Sequence, residues 1–104
     1  DNVTPTVEHY TCMIDLFGRA GHFNKVKACL DKVPNSSQLP LFRCVLGSCR
    51  EWNNLKIGRW AFEQSVQLDE NCAAAYVCMK NIYAEVDMQT EVDSVEALRL
   101  KNKA

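Results

Sequence analysis

Tyr10-Thr11-Cys12-Met13, Phe42-Arg43-Cys44-Val45 and Tyr76-Val77-Cys78-Met79 share one pattern, aromatic, variable, Cys, apolar, at spacings of 32 and 34 residues. Seven residues after each aromatic stands another residue able to fill a core, namely Phe17, Cys49 and Tyr83, as a continuing helical face requires. A period in this range marks a helix-turn-helix repeat in which neither helix can bury its apolar face alone, so the units must stack. The chain therefore reads as all-α: a right-handed α-solenoid of three repeats and six helices, forming one segment over 1–104 with units at about 6–38, 39–70 and 71–104.

Each unit divides at a breaker, Gly21 in the first, Asn53-Asn54 in the second and Asp87 in the third. The predicted helices cover about 6–20, 23–33, 40–52, 55–68, 73–86 and 88–101, with joints at 34–40 and 69–71. Pro40 suits a first helical turn, where its missing N–H costs nothing, and Asn71 is placed to cap the fifth helix. Gly47 and Gly58 fall inside helices, at a cost of about 1 kcal/mol each relative to Ala, so close approach of a neighbouring helix is expected at both. Tyr10, Phe42 and Tyr76 read as the repeat core. Cys12, Cys44 and Cys78, two residues further on, read as small core fillers facing the adjoining unit.

Composition narrows the function. Twelve Lys and Arg stand against 13 Asp and Glu, for a formal net charge of −1, and the two signs are evenly spread over the three units. That is not the footprint of an autonomous nucleic-acid binder, so any grip on RNA must be shared with other repeats. No apolar run approaches the roughly 20 residues that span a bilayer, and no membrane partner is expected. The first residue is Asp1 and the ends are polar, so the chain reads as a segment of a longer protein. Six cysteines in 104 residues suggest either a disulfide framework or reduced thiols. Long periodic apolar stretches favour the second, and no pair has the Cys-x-x-Cys spacing of a zinc site. No metal or cofactor is expected.

Other residues carry a family resemblance. Glu8-His9-Tyr10, Cys12-Met13, Asp15-Leu16, Gly18-Arg19-Ala20-Gly21 and Pro34 resemble the last short repeat of plant pentatricopeptide repeat proteins of the PLS class. Leu46-Gly47, Cys49-Arg50, Asn54, Gly58, Ala61 and Leu68-Asp69 resemble the start of that family's carboxy-terminal E domain, and Ala75-Tyr76-Val77 with Asn81-Ile82-Tyr83-Ala84 continue it. The resemblance implies a role in C-to-U RNA editing in mitochondria or chloroplasts, where tandem repeats read a single RNA strand and the carboxy-terminal region brings a cytidine deaminase to one C. It makes Thr11 and Gln38 the base-reading pair of the first unit. Gln38 stands where Asp or Asn is usual. Phe42, Glu70, Asp87 and Gln89 depart from the usual Trp, Pro, Gly and Trp of the extension.

Catalytic chemistry is not legible. A zinc deaminase needs His-x-Glu and a later Cys-x-x-Cys, yet His9 precedes Tyr10-Thr11 and His22 precedes Phe23-Asn24. The glycines are too dispersed for a phosphate loop. His9 and Cys12 share a helical face, but His9 reads more simply as a helix-end residue bonded locally. The expected role is therefore non-catalytic: positioning organellar single-stranded RNA and recruiting a deaminase-domain protein or editing accessory factor. The alternatives are a tetratricopeptide-like protein adaptor and a structural cap on a longer solenoid. On the helix over 55–68, Leu55, Gly58, Phe62 and Val66 form one apolar stripe and Ile57, Ala61 and Leu68 a second. Trp60 belongs to neither and is the candidate partner contact, projecting beside Glu63 and Gln67. The apolar flank of the first hairpin should promote self-association.

Overall fold

The computed structural model describes residues 6–104; residues 1–5 of the predicted segment lie outside the described residues. Among these there are six α-helices and no strand: α1 (Val7–Arg19), α2 (Phe23–Leu30), α3 (Leu39–Trp52), α4 (Leu55–Leu68), α5 (Ala73–Glu85) and α6 (Gln89–Lys101), with a 3₁₀ turn at Asn35–Ser37. Each odd helix packs antiparallel on the even helix that follows it. The odd helices also pack on one another in the order α1, α3, α5, and α4 packs on α5. A radius of gyration of 14.1 Å with extents of 52 × 27 × 14 Å exceeds the roughly 13 Å of a compact chain of this length. The elongation follows from stacking hairpins in one direction.

Local chemistry explains where helices begin and end. Thr6 and His9 form a reciprocal capping box on α1: the His9 N–H donates to Thr6 Oγ1 at 3.3 Å and the Thr6 N–H to His9 Nδ1 at 3.1 Å, satisfying two orphan donors. His9 is thus bonded locally. Asn54 Oδ1 caps α4 by accepting from the Ile57 N–H at 3.0 Å. The three breakers are left-handed residues at equivalent places, Gly21 at φ 78°, Asn53 at 52° and Asp87 at 57°, so each hairpin turns by the same device. Pro40 lies in the first turn of α3 as expected. Asn71 does not cap α5. Cys72 stands at that position, and the Asn71 N–H instead donates to Asp69 Oδ1 within the joint.

The core runs along the spine of odd helices. Phe42, Val45, Leu46 and Cys49 on α3, and Tyr76, Met79 and Tyr83 on α5, are all buried, at the i, i+3, i+4, i+7 spacing of one helix face. Tyr76 ties three segments together. Its hydroxyl donates to Glu70 O at 2.7 Å and accepts from Asn102 Nδ2 at 2.8 Å, while its ring meets Phe62 edge-on at 5.4 Å. On α4 the buried residues are Ile57, Gly58, Ala61, Phe62 and Ser65, whose hydroxyl donates to Ala61 O. Leu68, placed by periodicity in the second stripe, is exposed at the last residue of α4, although Ser65 in the same turn is buried.

The cysteine expectation fails at two of its three positions. Cys12 and Cys44 are exposed and Cys78 is half-buried. Two residues is about 200° around a helix, so the position after the variable residue points away from the aromatic's face and out of the stack. The buried cysteines are Cys29, Cys49 and Cys72. Close approach explains Gly58, where an added Cβ would lie 3.4 Å from Ile82 Cδ1 and 3.6 Å from Cys49 Cβ. It does not explain Gly47, whose Cβ would meet nothing within 4 Å. The tightest approach is at Gly18, where a Cβ would overlap the Ser48 hydroxyl and lie 3.0 Å from its Cβ, so α1 and α3 meet through a glycine.

Candidate nucleic-acid interface

The odd helices bury the faces that carry their aromatics and leave the opposite faces open. On those faces lie Cys12, then Arg43, Cys44 and Gly47, then Val77, with Thr11 and Cys78 half-buried at their edges. Cross-helix contacts show that the second and third units share one surface. Arg50 Nε pairs with Glu85 Oε1 at 2.6 Å between α3 and α5. Burial pushes the Cys78 thiol up in pKa, and the nearby Arg43 and Arg50 charges pull it partly back.

Both base-reading candidates are engaged within the chain. Thr11 Oγ1 donates to Val7 O at 2.8 Å, one turn back on α1, so its lone pairs remain for a ligand. Gln38 is half-buried, and its Nε2 donates to Leu30 O at 3.1 Å and Val33 O at 3.0 Å. Leu30 O also accepts from the Val33 N–H, so the Gln38 amide adds a second bond there and closes the turn that follows α2. The amide oxygen is the group Gln38 has left for a base. Gln in place of a shorter Asn or Asp gives the reach for this closure. No hydrogen bond joins Thr11 to Gln38 among the described residues.

Trp60 is half-buried, but it does not stand clear of both stripes. Its ring meets Phe42 at 5.3 Å with a 74° interplanar angle, and Lys27 Nζ lies 4.6 Å from the ring centroid. Trp60 is only about 60° around α4 from Ile57, since three residues turn about 300°. A large ring at the edge of a stripe leans into the seam. It therefore joins α2, α3 and α4.

Trp52 is a contact that periodicity missed. Its Nε1 donates to Gly18 O at 3.1 Å and Arg19 O at 3.2 Å, closing the carboxyl end of α1 from the next unit. The ring lies against Gly21, where a Cβ would be 3.3 Å from it. The only sign in the sequence is a Trp immediately before a breaker.

At the leading end of the stack Tyr10, Met13, Phe17, Ala28 and Cys29 line an apolar depression of about 350 Å³. Tyr10 is half-buried and Met13 exposed, whereas their counterparts in the second unit, Phe42 and Val45, are buried. Among the described residues no three His, Cys, Asp or Glu side chains converge as metal ligands. No helix is long and apolar enough to cross a membrane.

Comparison with known proteins matches this three-hairpin chain along nearly all of its length. A pentatricopeptide repeat-containing protein of Arabidopsis thaliana, named as mitochondrial, is 34% identical over 102 residues, which is 97% of this chain and 13% of that protein. The homologues of this chain are plant pentatricopeptide repeat proteins. Another from the same plant is 36% identical over 103 residues, 95% of this chain and 14% of its own length. A third is 36% identical over 83 residues, 80% of this chain and 10% of its own. The chain thus spans 10–14% of the length of these pentatricopeptide repeat relatives. No protein-family model and no solved structure matches it.

Proposed function

We propose that this chain is a non-catalytic segment of an organellar C-to-U RNA editing specificity factor. The first unit is the last pentatricopeptide repeat and reads a base with Thr11 and the Gln38 amide oxygen. The second and third units are E-domain repeats of tetratricopeptide type that hold a deaminase-domain protein or an editing accessory factor. The observation that carries this reading is the open face of the odd helices, on which the residues following the aromatic recur unit after unit. A single strand crossing α1 meets Thr11, whereas α3 and α5 offer Arg43, Val77 and the bare Gly47 to a protein. Trp60, which packs on the aromatic side of α3, supplies a separate partner contact through the exposed part of its ring. Mitochondria or chloroplasts are the site of action, in keeping with the mitochondrial relative. The apolar depression at the leading end takes an upstream repeat, and without one it drives self-association.

The balanced charge favours a second reading, a protein adaptor with no RNA role. Immobilised chain incubated with organelle extract, with and without RNase, separates the two. The editing reading expects a protein with a zinc-deaminase domain to be retained after RNase and reduced severalfold by Arg43→Glu or Trp60→Phe. Loss of all retention with RNase, or retention of unrelated proteins only, overturns recruitment. Short single-stranded RNA should bind the chain alone only weakly, because one reading repeat with balanced charge releases few counterions. Submicromolar affinity at physiological salt would refute this.

A further inference from the structure

Two lysines of the first hairpin meet one of the second around one cleft. Lys25 and Lys27 on α2 and Lys56 on α4 line a cavity of about 470 Å³ together with His22, Asn24 and Asn54. No Asp or Glu lines it. Among the described residues none of the three lysines pairs with a carboxylate, although the chain has more acidic than basic residues, spread evenly along it. Folding therefore adds Lys56 to a pair of lysines that the sequence already places in a stretch without acidic residues.

Two of the cations stack on rings outside the cleft lining, and Lys25 also lines the apolar depression beside Phe17. Lys27 Nζ sits 4.6 Å from the Trp60 ring centroid and Lys25 Nζ 5.4 Å from that of Phe17. Such stacks hold an ammonium near its ring without neutralising it. The walls are the beginnings of α2 and α4, and α2 carries no side-chain cap, so backbone partial charge adds to the same sign. A concave, single-sign lining between protein walls focuses the field on whatever enters.

We propose that this cleft binds the oxyanion of a phosphate-bearing ligand. Its volume exceeds what a lone phosphate would fill, so the phosphate is one group of a larger molecule, a small phosphorylated compound or an RNA backbone. The cleft lies at the end of the hairpins where α1 and α3 finish, whereas Thr11 is near the start of α1. The proposal therefore does not rest on base reading by the first unit.

The test uses this chain with Lys25→Gln/Lys56→Gln and each single substitution. Both lysines are exposed, and Lys27 is kept because it supports Trp60. Titration with pyrophosphate, followed by backbone amide NMR, should shift residues 22–25 and 54–57 saturably. Each substitution should weaken binding by about tenfold or more, the scale of one charge-assisted hydrogen bond. A parallel titration with a short oligouridylate measures the dependence of log K on log salt, whose slope should lose about 1.4 if two backbone phosphates are released. Pyrophosphate binding lost with the RNA slope unchanged identifies a small phosphorylated ligand. A reduced RNA slope identifies the RNA backbone. If pyrophosphate shifts are scattered over all lysines or survive in the double variant, and the RNA slope does not change, the cleft is not a phosphate site.

Discussion

Gly47 and Gly18 both lie inside helices of the spine, and substitution by Ala should move stability in opposite directions. At Gly47 an added methyl meets nothing within 4 Å and the backbone is not left-handed. Ala then gains helix propensity, about 0.8–1.0 kcal/mol. For a domain of this size the melting temperature should rise by about 4 °C. At Gly18 the same gain is opposed by overlap with Ser48, whose Cβ would be 3.0 Å away and cannot rotate aside because it is fixed to α3. Overpacking of this kind costs about 1–3 kcal/mol, which leaves Gly18→Ala neutral to about 2 kcal/mol destabilised. Adding Ser48→Gly removes both offending atoms. A double-mutant cycle should then show a coupling of about 1–3 kcal/mol. Urea and thermal unfolding followed by circular dichroism measure all four proteins. If Gly47→Ala lowers stability, the open space at Gly47 is wrong, and if Gly18→Ala and Ser48→Gly prove additive, the described contact between α1 and α3 is wrong.

Three further outcomes are expected. Trp52→Phe keeps a ring against Gly21 but removes the donor to Gly18 O and Arg19 O, so stability should fall by about 0.5–1.5 kcal/mol; no change in the urea midpoint would show that water replaces the indole. Among the thiols, Cys12 and Cys44 should alkylate first and Cys49 only on unfolding, as mass spectrometry of timed iodoacetamide reactions will show. Burial pushes Cys49 up to about 12 from an ordinary 9.0, which favours its neutral form in the folded state. The unfolded chain deprotonates first, so the Cys49 contribution is intact below pH 9.0 and is lost as pH rises towards 12. Cys49→Ala should flatten that part of the stability profile, though at a cost in packing. An unaltered slope would contradict the assigned burial.

Helix number and extent were legible because periodicity and breakers act locally. Gly21, Asn53 and Asp87 each reverse the chain at an equivalent point, and each does so with a positive φ that can be anticipated from residue type. Burial was less legible where recurrence was mistaken for packing. Cys12 and Cys44 repeat in register, yet register fixes only that they face the same way, and that way is outward. Gly47 and Gly58 look alike in sequence and differ only in what stands opposite. Trp60 and Trp52 were harder still. Each has a partner in the preceding hairpin, Lys27 for Trp60 and the end of α1 for Trp52. The lysine cleft is invisible in a charge tally because it depends on how two hairpins are set side by side.

The packing order of the helices also sets the mechanics of the stack. The odd helices form a continuous rod, while α4 leans onto α5 and braces the second junction. The first junction has no such brace: α2 and α4 are not packed along one another and are bridged by the Lys27 and Trp60 side chains, with the cleft between their starts. Bending there opens or closes the lysine-lined cleft, whereas bending at the second junction must pull α4 from α5. Load applied along the stack is therefore taken up as flexure between the first and second hairpins, and the second and third turn together as one stiff body.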